Sequence, residues 1–160
     1  MEIFPEKRYS FTLINGQAES LERLKRRTEI SSMLTSKRTD KSFIGNIKGN
    51  KFQLITSEIG KGAFVVLDGK IDESNGNVSL QINKVFKILI SILFCFPLVA
   101  ILIQAISKPK EFSVLLILVA LIQIIFLRFI VGVFFNILSR RSLNKLRDVL
   151  DAENFNQLKV

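Results

Sequence analysis

Two apolar runs, Val85 to Ser107 and Phe112 to Leu138, flank a four-residue polar break, Lys108-Pro109-Lys110-Glu111, and leave this 160-residue chain few ways to fold. A helix crossing a hydrocarbon layer of about 30 Å needs roughly 20 apolar residues at 1.5 Å rise each, and both runs are long enough. Of the 19 residues from Ile88 to Ile106, 13 are Ile, Leu, Val or Phe. At about 0.3–0.6 kcal/mol each they favour insertion by about 4–8 kcal/mol. Burying both runs as core helices would take more protein than the rest of the chain supplies. A break this short turns the chain back into the same layer, so the runs predict an antiparallel transmembrane hairpin.

Flanking charge orients it. Lys84 and Lys87 lie at the start of the first run, and Arg140, Arg141, Lys145 and Arg147 follow the second, against Lys108 and Lys110 at the tip. The positive-inside rule then places both termini in the cytoplasm. Counted outward from Pro109, Arg128 is level with Ile90, close enough to Lys87 for its side chain to snorkel to the headgroups. On the same count Phe129 to Leu138 extends about 10–15 Å past the hydrocarbon. Phe129, Val133, Phe134 and Ile137 share a helical face there, which predicts that this face packs on the soluble part.

The segment 1–84 reads as one α+β domain. Tyr9, Phe11 and Leu13 alternate with polar residues as a first strand that ends at Asn15-Gly16, and Ala18 to Arg27 has the spacing of an amphipathic helix. The polar stretch Ser31 to Ser42 reads as loop. Four short strands follow as a meander, Phe43 to Lys48, Lys51 to Ser57, Ala63 to Asp72 and Asn77 to Asn83, with turns at Gly49-Asn50 and Asn75-Gly76. Their alternation predicts one apolar and one polar face. Leu143, Leu146, Val149 and Leu150 recur at helical spacing, so 139–160 is expected to form a C-terminal helix that returns to cover the apolar face. The hairpin, 85–138, is then an insertion within the domain. Gly45 and Gly69 inside strands indicate bulges or close backbone contacts.

Residues that carry chemistry are scarce. The chain has no histidine, which removes the commonest general base and metal ligand, and its one cysteine, Cys95, lies inside the first apolar run. Gly60-Lys61-Gly62 and Lys48-Gly49-Asn50-Lys51 fit turns and not a phosphate-binding loop, since no helix follows either. Asp68, Asp72 and Glu73 lack the spacing of a calcium loop. The sequence therefore assigns no catalytic residue, no metal and no cofactor.

The net charge is +9. For a soluble chain that would suggest nucleic acid, but here the nearest polyanion is the membrane, whose anionic headgroups attract a basic residue by about 1 kcal/mol. Arg23, Lys25, Arg26, Arg27, Lys84, Lys87, Arg128, Arg140 and Arg141 are the residues expected at the membrane surface. The RNA-binding aromatic signature is missing.

Phe43-Ile44-Gly45-Asn46-Ile47, Phe52, Phe64, Gly69-Lys70-Ile71 and Gly76 resemble a pattern in small bacterial two-helix membrane proteins with a cytoplasmic β-meander domain. The resemblance implies an architecture in the bacterial inner membrane and no activity. The residues as a whole lead to the expectation of a non-enzymatic protein whose membrane-apposed domain binds or regulates a protein partner, with homo-oligomerisation a further form of partnership. The alternative is a binder of lipid or a small apolar ligand in a Phe-lined pocket.

Overall fold

A computed structural model describes residues 4–107 and 114–158. The polar break at 108–111 and the first residues of the second run lie outside the described residues. The chain divides into two compact units, one of residues 1–83 with 135–160 and the other of residues 84–134.

The first unit is built on a seven-stranded sheet. Its strands are β1 (Glu6–Leu13), β2 (Thr28–Ile30), β3 (Phe43–Lys48), β4 (Lys51–Thr56), β5 (Val65–Ile71), β6 (Asn75–Ile82) and β7 (Ala152–Leu158), in the order β2-β3-β4-β5-β6-β1-β7. Every neighbouring pair is antiparallel except β2 with β3. The β3–β4 turn is two residues long, with Gly49 at φ 59 in its first central position as a type II′ turn requires.

Register defines the two faces. On the inner face Phe11, Gly76 and Ile71 align across β1, β6 and β5, as do Val78, Gly69 and Phe52 across β6, β5 and β4. Each phenylalanine lies over the glycine opposite it, because a Cβ on Gly69 would stand 2.4 Å from the Phe52 ring and one on Gly76 2.2 Å from the Phe11 ring. Glycine at these two positions is what lets the aromatic rings lie flat on the sheet. The outer face is not uniformly polar. At one end Ile44, Ile55 and Val66 form a second apolar cluster, against which Leu34 and Ala63 pack. The stretch 31–42 is thus a cover for this cluster, held by Asn83 Nδ2, which donates to the carbonyls of Leu34 and Ala63.

Helix α1 (Gly16–Arg27) and the final turns of α3 (Val114–Leu150) supply the apolar cover for the inner face, burying Leu24 from α1 and Phe135, Leu138, Leu146 and Leu150 from α3. Gln17 Nε2 donates to the Ile71 carbonyl, and Ser20 Oγ to the Leu150 carbonyl. Two sequence expectations are corrected here. The helix expected over 139–160 is the continuous end of α3 and stops at Leu150. Asp151 follows at φ 53, and the chain then forms β7 against β1. Stacking of Phe155 on Phe11, with ring centroids 5.0 Å apart, anchors that strand. The expected packing face is also out of phase. Phe129, Val133, Phe134 and Ile137 are exposed, whereas Phe135, Leu138, Ser139, Ser142 and Leu146 are buried. An all-apolar run carries no phase of its own, and small serines occupy the close-packed positions that an apolar pattern misses.

The second unit holds α2 (Lys84–Ser107) and the first 21 residues of α3. Both helices are long and apolar enough to cross a membrane, and only 6% of the most apolar window of each is buried. Among the described residues Ile90, Pro97 and Ala120 are the buried positions there.

Candidate functional site

Strand register shows which end of the sheet carries positive charge. β6 ends at Ile82, and α2 starts two residues later, so the Ile82 end is the one from which the chain leaves for the apolar helices. Ile82 is level with Val65 on β5, and the following steps across β4 and β3 reach Thr56, Phe43 and Thr28. Thr28 directly follows α1. The last turn of α1, with Lys25, Arg26 and Arg27, therefore lies at the exit end. α3 arrives at the same end, because Lys7 Nζ on β1 donates to Asn136 Oδ1, and Lys7 pairs with Leu80, one inner-face step from Ile82. Arg140 and Arg141 come one turn after Asn136 and are exposed.

Three elements distant in sequence thus place cations at one end of the sheet. Lys25, Arg26, Arg27, Arg140 and Arg141 are all exposed there, and in the second unit Lys84 is exposed and Lys87 half-buried at the start of α2. Arg128 is an exposed residue of α3 in the second unit. The sequence reading missed Lys7, whereas it grouped Lys41 with the basic cluster by charge. Lys7 is half-buried, and its burial, followed by the Arg140 guanidinium, holds its ammonium below the ordinary 10.5. Lys41 Nζ donates to the Arg26 carbonyl at 2.8 Å, which satisfies the end of α1 and complements its dipole.

Arg23 belongs to a different arrangement. It bonds Glu19 at 2.7 Å and Asp151 at 3.1 Å, and Asn15 Nδ2 also reaches Asp151, at 3.0 Å. These bonds staple α1 to the point where α3 becomes β7. The Glu19 bond is the main cause of a raised pKa for Arg23.

An open groove of about 960 Å³ lies between α1 and the last turns of α3, lined by Glu19, Glu22, Arg23, Arg26, Arg27, Lys145 and Asp148 among others. Its mixture of cations and carboxylates suits polar contacts. The phenylalanines Phe11, Phe43 and Phe135 are buried in the core and do not line it. Elsewhere, a hydrogen bond from Thr39 and then one from Lys37 draw the Glu29 carboxyl below its usual range. Among the described residues no three His, Cys, Asp or Glu side chains gather as a metal site.

Comparison with protein-family profiles, with curated proteins and with solved structures finds no match for this chain.

Proposed function

We propose that the chain crosses a bacterial inner membrane twice with both termini in the cytoplasm, and that its sheet unit rests on the inner leaflet to bind or regulate a protein partner without catalysis. Exposure of α2 and of α3 up to Phe134 along their apolar length supports the membrane reading, since a protein in water rarely leaves contiguous apolar patches of that size uncovered. Val114–Phe134 spans about 31 Å at 1.5 Å per residue, the thickness of a hydrocarbon core. Arg128 then lies about 9 Å inside that length, within reach of the headgroups by snorkelling.

The observation that carries the docking part is the register that gathers Lys25, Arg26, Arg27 and Lys7 at the end from which α2 departs. Anionic headgroups supply the matching charge. Lys48, at the β3–β4 turn, is level with Asn77, five β6 residues from Ile82 and about 17 Å along the strand.

Quenching in nanodiscs tests this arrangement. With Cys95 replaced by Ser, a fluorophore on Lys25→Cys should be quenched by nitroxide-headgroup lipids more strongly than one on Lys48→Cys. Raising the anionic lipid fraction should widen the gap. Equal quenching at the two sites would reject docking through the exit end. A C-terminal reporter active only outside the cytoplasm would reject the topology.

A further inference from the structure

The outer face of the sheet carries a second basic feature that sequence spacing does not show. Lys48 pairs with Lys51 across β3 and β4, and Lys51 pairs with Lys70 across β4 and β5. All three side chains leave the same face, so three ammonium groups start from one cross-strand row at strand spacings of about 4.8 Å. Like charges directly opposite one another destabilise a sheet. Only Lys70 has an ion-pair partner among the described residues, Asp72, and that pair is half exposed. Both members of such a pair are easily drawn to other charges.

The surroundings define what could occupy this row. The stretch 31–42 covers the other end of the same face, whereas the lysines are exposed and border two shallow hollows of about 420 and 240 Å³ that meet at Lys51 and Asp68. By register the row is level with Asn77, about 17 Å from the exit end along β6. That distance is twice the physiological Debye length, so headgroup charge at the exit end does not serve these lysines. Asp68 lies one row away among Asn46, Gln53 and Ser79, so one carboxylate borders the basic row.

We propose that the Lys48-Lys51-Lys70 row binds an acidic helix of a partner protein lying across the strands. Carboxylates at positions i, i+4 and i+7 of a helix are about 5–6 Å apart on one face, close to the strand spacing that separates the lysines. Each can meet one ammonium while the hollows accept the flanking side chains. This inference rests on the reading that the sheet unit serves a protein partner, and it specifies the chemistry of that partner.

Photo-crosslinking of the full chain in native membranes tests it. With p-benzoylphenylalanine replacing Gln53, which is exposed beside the row, the adduct should map to a segment with acidic residues at three- and four-residue spacing. Its yield should fall about ten-fold in Lys48→Gln/Lys51→Gln/Lys70→Gln, the effect of losing three exposed ion pairs together, and fall again in high salt. An adduct to nucleic acid, an adduct to a segment without acidic spacing, a yield unchanged by the triple variant, or no adduct would each overturn the proposal. Equal thermal unfolding of the triple variant and the parent shows that the loss is not misfolding. Membrane fractionation of the same samples separates the two readings, because a chain recovered in the soluble fraction rejects the membrane reading whatever its adduct.

Discussion

The two units of this chain put their apolar residues to opposite use. In the sheet unit Leu54, Leu67 and Leu80 are fully buried beneath two helices, and each has a polar neighbour along its strand, Gln53, Asp68 and Ser79. In the helical unit Ile122, Ile125 and Phe129 are each about two-thirds exposed. Residues of similar size thus stabilise one unit by leaving water for a protein core, and fit the other for leaving water into a different apolar medium. Phase is fixed only where a polar face exists to oppose the apolar one, and α3 shows both conditions along a single helix.

The sharpest way to break this comparison is one truncation made in each unit. Leu54→Ala should lower the unfolding free energy by about 2–5 kcal/mol in detergent, as a buried leucine does, while Ile122→Ala should change it by less than about 0.5 kcal/mol. Equal effects would mean that α3 is packed inside protein and that the contrast is false.

A smaller effect is expected where the sheet unit holds its helices by charge. Asp151→Ala removes the acceptor shared by Asn15 and Arg23 and places alanine at φ 53, so urea unfolding should show a loss of about 1 kcal/mol. Salt should reduce that difference, because the pair is partly exposed.

The smallest effect concerns Lys7. Its folded pKa is lowered, so the unfolded chain binds more protons between the two values, and stability should rise as pH rises through the folded value toward 10.5. Lys7→Met should flatten that slope in thermal unfolding measured from pH 7 to 10. An unchanged slope would remove Lys7 from the exit-end cluster.

The local elements are legible in the sequence, and the long-range ones are not. β3 to β6 and α1 follow from alternation and turn residues within a few positions of one another. β7 does not, since Ala152–Leu158 has few apolar residues and becomes a strand only against β1, about 140 positions earlier. The covering role of residues 31–42 is hidden for a similar reason, because only Leu34 is large and apolar at the cluster they shield. For the candidate site, net charge identified Arg26, Arg27 and Arg140 as a class. Their meeting at one end, the addition of Lys7, and the alignment of Lys70 with Lys48 and Lys51 all depend on register between strands, which no local window contains. Arg23 shows the converse, since a residue grouped by charge with its neighbours is held in ion pairs with Glu19 and Asp151.

The pairing of β1 with β7 also sets an order of events during synthesis. β1 leaves the ribosome before either apolar helix, and its partner emerges only after both have been made. Strands β3 to β6 can pair as they appear, but the outermost ladder of the sheet cannot form until translation has passed residue 151. The domain's completion is therefore tied to the fate of the apolar segments. A nascent chain arrested before residue 152 would be left with β1 exposed at an open edge, the kind of surface that promotes aggregation and is recognised by quality control.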